Sequence, residues 1–295
     1  MRFYDLNKKI WQWITLLFLA LIWGSSFILM KKGLVVYSHN VVAALRISLA
    51  AIVLIPFAIK AFNKVKAEEW KYLIFVGAIG NGVPAFLFTY AQTEVSSSLT
   101  GMLNALVPIF SLIIGAIMFK TKPLKTQTIG ILIGLIGACG LIFSNGLPTE
   151  NSNFFFILLI VIATICYGLS VNVIKTYLKE IKAIHITALS FISLAPFTIV
   201  YLFSTNFIEV TLNDPASLNA LIYIGILSVL GTSLAIILFN LLIKNTTTIF
   251  ATSVTYLIPI VAIFWGLFDG EEINFYQLIS AAITLLGIHF TSKKS

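Results

Sequence analysis

The residues that could carry chemistry in this sequence are polar and aromatic side chains within long apolar segments. They are hydroxyl, amide, phenol and indole groups at Trp23, Ser25, Asn81, Tyr90, Asn104, Tyr167, Asn172, Thr232, Asn240, Thr255, Tyr256 and Trp265. Polar groups inside apolar helices either bind a solute or form hydrogen bonds between helices. Because the set contains no carboxylate, it suits a small amphipathic or zwitterionic solute better than a metal ion. We predict that these residues line a substrate-binding cavity.

No arrangement typical of an enzyme or cofactor site accompanies these residues. The histidines are far apart, and Cys139 and Cys166 lack the CxxC or CxxxH context of a metal site. The sequence contains no zinc-protease HExxH, no GxSxG nucleophile elbow and no P-loop motif. We therefore predict a protein that is not an enzyme and needs neither metal nor cofactor. An intramembrane enzyme acting on a lipid-linked substrate and a passive channel are the competing hypotheses.

The composition excludes most soluble classes of protein. Of 295 residues, 59% are apolar and 10% are charged, and the mean hydropathy is +1.01. A soluble domain carries about 25% charged residues, so this chain cannot cover its surface with solvated side chains. The net charge of +8 is more typical of basic residues flanking membrane spans than of a nucleic-acid partner. The chain is therefore predicted to be an integral membrane protein whose partner is the lipid bilayer.

Ten apolar segments are long enough to cross a membrane as helices, because a spanning helix needs about 20 residues. They cover residues 12–30, 40–60, 71–92, 97–119, 126–144, 154–175, 184–203, 217–243, 249–268 and 275–291. No segment shows the alternating pattern of a membrane barrel. The predicted fold is an all-α membrane protein with ten transmembrane helices.

The two halves of the chain resemble each other at an offset of 144 to 151 residues. The aligned stretches are 22–32 with 166–176 and 99–110 with 250–261. We predict two five-helix repeats, residues 1–146 and 147–295. Because five is an odd number, the second repeat is expected to be inverted in the membrane, as in many secondary transporters.

Residues that disturb helices cluster near the middle of six segments and form pairs between the repeats. The pairs are 24–26 with 167–168, 80–84 with 231–233, and Pro108 with Pro259. Proline removes a backbone donor and glycine loosens a helix, so carbonyls freed there need protein, water or ligand as partners. We predict six broken helices around a midplane cavity, with Pro84, Pro108 and Pro259 in gating or structural roles.

Arg46 is the only charged residue well inside a segment, where a charge costs about 2.5–3.5 kcal/mol on insertion scales. It lies close to the start of the second segment and could extend to the outer surface as a structural anchor. The alternatives are binding of a substrate carboxylate or gating. The aligned position in the second repeat is Ser190, so Arg46 breaks the symmetry.

These motifs resemble the ten-span EamA-type transporters of the drug/metabolite transporter superfamily. The resemblance rests on WGSSF at 23–27, Arg46, Pro108, Pro259, Gly270-Glu271 and the glycine-rich tenth segment ending near Gly287. It implies a multi-pass inner-membrane permease that moves metabolites, often amino acids and frequently outward. It also implies alternating access around a cavity lined by spans 1, 3, 4, 6, 8 and 9. The oligomeric state stays open between monomer and homodimer.

The first repeat departs from the family pattern at two places. Lys120-Thr121 stands where a Gly-Glu pair usually ends the fourth span, and Tyr167-Gly168 stands where Trp-Gly is usual. Members with similar motifs move different compounds. The resemblance therefore implies a transporter without identifying its substrate.

The distribution of basic residues predicts the orientation of the chain. All but three of the 19 Lys and Arg residues lie on one side when the segments alternate in direction. The exceptions are Lys31 and Lys32, on the other side, and Arg46, within a segment. Because cytoplasmic loops accumulate Lys and Arg, we expect both termini inside the cell.

Reporter fusions after Lys294 and near Glu150 should then report opposite sides of the membrane. Two fusions that report the same side would contradict the count of ten spans.

Overall fold

The computed structural model describes residues 6, 8–122, 124–143, 154–246 and 248–292, and these contain helices and turns but no strand. We number the long helices in chain order. Their bounds are α1 Lys9–Leu34, α2 His39–Phe62, α3 Ala67–Ala91, α4 Ser97–Met118, α5 Lys125–Ile142, α6 Phe154–Tyr177, α7 Ala183–Phe203, α8 Ser217–Asn245, α9 Phe250–Phe268 and α10 Phe275–Ser292. A short helix, Phe207–Asn213, precedes α8. The prediction of an all-helical protein is confirmed.

Eight of these helices, α1–α4 and α6–α9, are long and apolar enough to cross a membrane. The described apolar stretches of α5 and α10 are shorter, Lys125–Leu141 and Phe275–Gly287. The count of ten spans, the inverted repeat and the orientation of the termini therefore stay predictions. Glu150 and Lys294, which mark the reporter positions, lie outside the described residues.

Helices α3 and α8 are interrupted where the glycine-rich motifs lie. Each contains a π-helical segment, Ala78–Gly82 in α3 and Leu227–Leu234 in α8. A π turn is one residue wider than an α turn, so it shifts the backbone donors relative to their usual acceptors. Pro84 comes directly after the first of these segments, near the start of the α-helical part of α3 that follows it. This is the position in a helix at which a missing backbone N–H costs least.

Helices α4 and α9 are interrupted just before their central prolines. In α4 the regular helix stops at Asn104 and resumes at Val107, and in α9 a 3₁₀ turn over Ser253–Tyr256 precedes the rest of the helix. Pro108 and Pro259 are the second residues of the helical parts that follow. The prediction of broken helices is confirmed for α3, α4, α8 and α9.

The predicted breaks in α1 and α6 are wrong, because both helices are continuous through their glycines. Gly24 instead allows α1 to approach Val261 of α9, and Gly168 allows α6 to approach Ser111 of α4. A Cβ atom at either glycine would overlap these neighbours. In α1 and α6, the glycines therefore serve close helix packing and leave the backbone hydrogen bonds intact.

Helices α5 and α10 pack against each other through small residues. Gly137 faces the backbone and hydroxyl of Thr284, and Gly287 faces the backbone of Gly134. Small residues let membrane helices approach closely and gain van der Waals contact. None of the described residues of either helix lines the cavity described below, so this pair forms a scaffold at one side of the bundle.

The α5–α10 contact predicts a difference between two glycine substitutions. Gly137→Ala should lower the free energy of unfolding, because overpacking a tight contact costs about 1–3 kcal/mol. Gly225→Ala is the matched control, since a Cβ atom there has no neighbour within 4 Å. Alanine is about 0.5–1 kcal/mol better than glycine in a helix, so the control should be neutral or slightly stabilising. Thermal unfolding of the detergent-purified protein measures both, and equal melting temperatures would contradict the packing.

Candidate functional site

A cavity lies between eight of the helices. Its polar wall consists of Trp23, Ser26, Arg46, Asn81, Asn104, Tyr167, Ser170, Thr187, Ser190, Asn240 and Thr255. Its apolar wall consists mainly of Phe27, Met30, Val76, Phe88, Val107, Val171, Ile174, Ile236 and Phe239. Besides the six spans expected from the resemblance, α2 and α7 contribute residues.

Six of the predicted residues lie on this wall, namely Trp23, Asn81, Asn104, Tyr167, Asn240 and Thr255. Four of them bond to a neighbouring turn or helix, and one of these is Asn81, whose Nδ2 donates to Val76 O at 3.1 Å. Trp23 Nε1 donates to Gly231 O at 3.0 Å, Asn240 Nδ2 to Thr187 Oγ1 at 2.9 Å, and Thr255 Oγ1 to Thr252 O at 2.9 Å. The Asn104 amide and the Tyr167 hydroxyl have no hydrogen-bond partner among the described residues. These two groups are free to bind a solute.

Four other predicted residues lie away from the cavity. Ser25 and Trp265 bind each other, with Trp265 Nε1 donating to Ser25 Oγ at 2.8 Å. Asn172 donates to Ser111 O at 2.9 Å and to Gly168 O at 2.8 Å, so its amide joins α6 to α4. Tyr90 stacks on His39 at the ends of α3 and α2, with ring centroids 4.4 Å apart. The helix face keeps Ser25, Asn172 and Trp265 off the wall, and the position at the end of α3 keeps Tyr90 off it.

Thr232 and Tyr256 complete the predicted set. Thr232 is buried behind the wall, where its hydroxyl accepts a hydrogen bond from Arg46 Nε at 2.8 Å and donates to Leu227 O at 3.0 Å. The backbone of Tyr256 belongs to the 3₁₀ turn of α9, and its side chain lies outside the described part of the structure.

Arg46 lies on the cavity wall and is only 9% exposed. The expectation that its side chain extends to the outer surface is wrong, because its Nε bonds across to Thr232 of α8. The π-helical segment of α8 provides that acceptor. Its wider turn lets the Thr232 hydroxyl reach the carbonyl of Leu227, five residues earlier, and this bond fixes the oxygen to which Arg46 donates.

The cavity wall is paired between the two halves of the chain. The pairs at an offset of 144 residues are Trp23 with Tyr167, Ser26 with Ser170, Phe27 with Val171, Met30 with Ile174, and Arg46 with Ser190. The pairs at an offset of 151 residues are Phe88 with Phe239 and Asn104 with Thr255. The contacts are paired as well, because Gly80 packs on Ser170 and Gly231 packs on Ser26.

Sequence reasoning missed the wall residues that are small or apolar, although a signal for them existed. Residues 23, 26, 27 and 30 form one face of α1, and residues 167, 170, 171 and 174 form the matching face of α6. These spacings of three and four residues are those of a single helical face. Positions three, four and seven residues after the predicted Trp23 and Tyr167 would have given the other wall residues of α1 and α6.

An ion-pair cluster joins α1, α4 and α9 at the end of the bundle where α1 and α9 finish. Lys31 Nζ lies 2.8 Å from Glu271 Oε1 and 2.7 Å from Asp269 Oδ2, and Lys32 also pairs with Asp269. The hydroxyl and backbone N–H of Ser97 and Ser98 all donate to the Glu271 carboxylate, at 2.7 to 3.0 Å. Glu271 thereby satisfies the first N–H groups of α4, which have no partner within that helix.

The surroundings of Glu271 keep its carboxyl group ionised. Burial by itself would raise its pKa, but the hydrogen bonds from Lys31, Ser98 and Ser97 outweigh burial and lower the pKa from 4.5 to about 2. The stabilisation by the ionised form is therefore complete above pH 4.5 and is lost only as the pH falls toward 2.

At the opposite end of the cavity, the positions that align with the ion-pair cluster carry different side chains. Lys175, which aligns with Lys31, donates to the carbonyls of Ile243 and Thr246 at 2.6 and 2.8 Å. Lys120 and Gly270 both adopt positive φ, at 54° and 78°. The chain therefore turns in the same way after α4 and after α9, and Thr121 takes the place that Glu271 has after α9. Because Thr121 carries no charge, Lys175 pairs with helix-end carbonyls instead of a carboxylate.

The described residues contain no group of three or more His, Cys, Asp or Glu side chains that could hold a metal ion. Among the described residues of the cavity wall none is acidic, and Arg46 is the one that carries a charge. The arrangement can bind an organic solute through hydroxyl, amide, guanidinium and aromatic groups.

Comparisons with known proteins find membrane transporters as relatives and a solved structure with a similar fold. The chain is 25% identical to the uncharacterized inner membrane transporter YedA of Escherichia coli, over 92% of this chain and 87% of YedA. It is 24% identical to the uncharacterized transporter YoaV of Bacillus subtilis, over 91% of this chain and 92% of YoaV. A crystal structure with 12% identity superimposes with a TM-score of 0.67 over 96% of both chains, which supports the fold alone.

The family comparison matches both halves of the chain separately, at residues 10–143 and 154–293. These two ranges cover the helices that line the cavity, the ion-pair cluster and the α5–α10 scaffold. Together with the apolar helices, they make this protein a multi-pass membrane transporter. The chain belongs to the EamA-like transporter family.

Proposed function

We propose that this protein is a secondary transporter of the plasma (inner) membrane that exports small metabolites, such as amino acids, by alternating access. The observation that carries the proposal is the cavity, whose wall is built from matching residues of the two halves. Two similar halves around one site can adopt two shapes of similar energy, each open to one side of the membrane. The double family match supports this reading.

The proposal includes ten spans arranged as two inverted five-helix repeats, with both termini in the cytoplasm. In this orientation the ion-pair cluster closes the outer end of the cavity, because α1 and α9 finish there and α4 begins there. Opening to the outside requires α1 and α4 to separate from the Glu271 carboxylate. The Lys175 contacts with the end of α8 hold the inner end.

The wall predicts that two buried asparagines respond differently to substitution. Asn104→Ala should raise the apparent KM of transport about tenfold, which corresponds to about 1.4 kcal/mol, and leave the melting temperature unchanged. Asn172→Ala is the matched control. It removes an interhelical hydrogen bond, which in membranes is worth about 0.6 kcal/mol on average, and should lower stability without changing KM. Both are measured in proteoliposomes with the solute that gives the strongest counterflow in a panel of amino acids and small metabolites. The reverse pattern would place the site elsewhere.

The ion-pair cluster predicts which change exposes the cavity to the outside. Met30 lines the cavity and is 1% exposed, so a cysteine there should react slowly with a membrane-impermeant maleimide. Glu271→Gln removes the charge that binds Lys31 and should increase this labelling several-fold. The measurement uses Met30→Cys in a background with Cys139→Ser and Cys166→Ser. Labelling that stays slow in the variant would contradict an outer closure by Glu271.

Two controls separate the cluster from general loosening of the bundle. Glu272→Gln makes the same chemical change at the next, exposed residue and should leave labelling unchanged. Lowering the external pH from 8 to 5 should also leave it unchanged, because the Glu271 pKa of about 2 keeps the carboxylate ionised over this range. Labelling is normalised to denatured protein at each pH, and an increase at pH 5 would show that another group holds the outer end.

A further inference from the structure

Arg46 brings a positive charge into the cavity without a negative partner. Its Nε donates to Thr232 Oγ1 at 2.8 Å, and its Nη groups have no hydrogen-bond partner among the described residues. The ion pairs of Lys31, Lys32, Asp269 and Glu271 lie at the end of the bundle and do not involve Arg46. Because a guanidinium stays protonated in proteins, the wall carries one uncompensated cation.

An unpaired buried charge is expensive, and proteins rarely retain one without a use for it. Taking an ion out of water costs far more than a single hydrogen bond to a neutral hydroxyl returns. Ionisable residues inside membranes mark substrate or ion pathways for this reason. An anionic group of a solute, entering the cavity, would supply both the missing charge and the acceptors for the free Nη donors.

Other polar groups on the wall also lack partners. The Ser190 hydroxyl is fully buried and forms no hydrogen bond in the described structure, and it occupies the position that aligns with Arg46 in the other half. The Asn104 amide and the Tyr167 hydroxyl are unpartnered as well. Buried polar groups are nearly always hydrogen-bonded, so the Ser190 hydroxyl is expected to bind the polar part of a solute or the water that it displaces. The Asn104 amide and the Tyr167 hydroxyl lie on the same wall.

The rest of the wall specifies an apolar body for the solute. Phe88 and Phe239 occupy aligned positions of the two halves, 151 residues apart, and Phe27 and Trp23 lie on the α1 face. Apolar and aromatic side chains with a few placed polar groups are typical of sites for small amphipathic molecules. The described residues of the wall include no acid that could bind a cationic group.

We propose that Arg46 binds the carboxylate of the transported solute, which is a small monocarboxylate with an apolar body. This inference rests on the proposed transport function and names the substrate class of that cavity. Arg46 is the specificity residue, because it contacts the anionic group. Thr232 is a positioning residue, because its hydroxyl holds Nε and leaves the Nη groups for the carboxylate.

The test compares two probes that differ only in charge, 3-phenylpropionate and 3-phenylpropionamide. Equilibrium binding to the purified full chain should show at least tenfold tighter binding of the carboxylate. Arg46→Gln should abolish this preference. Arg46→Lys should retain part of the preference, because it keeps the charge but loses the planar fork that matches a carboxylate. Wild-type protein that binds both probes equally would overturn the proposal without need of any variant.

The positioning role has its own variant and control. Thr232→Val removes the acceptor of Arg46 Nε at nearly constant volume and should reduce the carboxylate preference several-fold. Thr164→Val is the control, because Thr164 is buried in α6 away from the cavity and bonds to its own helix, and it should keep the wild-type preference. An unchanged preference in Thr232→Val would overturn the positioning role.

Stability and transport separate the remaining outcomes. Because the charge of Arg46 has no partner, Arg46→Gln should leave the melting temperature unchanged or raise it. A lower melting temperature together with an intact carboxylate preference would make Arg46 a structural anchor and overturn the proposal. Counterflow of both probes in proteoliposomes then distinguishes two failures. Equal transport of acid and amide would refute the inference and support the transport function. Arg46-dependent binding without transport would support the inference and refute the transport function for this solute.

Discussion

Each backbone carbonyl freed inside an apolar helix bundle must find another donor, and the centre of this protein is organised by that constraint. At the two π-helical segments, the donor comes from a side chain within the segment. Asn81 Nδ2 reaches the carbonyl of Val76, and Thr232 Oγ1 reaches that of Leu227, each five residues earlier. Asn81 and Thr232 are aligned positions of the two halves. The same residues that repair the helices therefore place polar groups beside the cavity.

The cavity combines this symmetry with one asymmetric feature. Arg46 and Ser190 occupy aligned positions on α2 and α7 and both lie on the wall, yet only one is charged. The hydroxyl that repairs α8 also accepts a hydrogen bond from Arg46, so the backbone break and the guanidinium are parts of one arrangement. A second asymmetry separates the two ends, since Glu271 carries a charge where Thr121 does not. In the proposed transport cycle, the two shapes would then be similar in energy but not equal.

Particular residues show how far sequence patterns could predict this site. The position of six residues in the bundle interior could be predicted, because polar or aromatic groups at mid-helix have few stable alternatives. They are Trp23, Asn81, Asn104, Tyr167, Asn240 and Thr255. Asn172 and Ser25 meet the same criterion, but their helix faces direct them to Ser111 and Trp265. The breaks could be predicted where glycine or proline combines with a polar donor, as in α3 and α8. In α1 and α6, a predicted break could not be distinguished from close packing, which is the role of glycine in these two helices.

The sequence by itself determined the membrane environment, the helical class, the positions of the helices and the internal pairing, because hydrophobic length and repeat spacing are local properties of the chain. Only the tertiary structure decided which polar residues share the cavity and which bond elsewhere. It also decided that Arg46 points to Thr232 and that Glu271 joins Lys31 to the start of α4. These contacts link residues 174 to 240 positions apart in sequence. Such contacts depend on how the helices rotate and pack, which residue types and spacing do not specify.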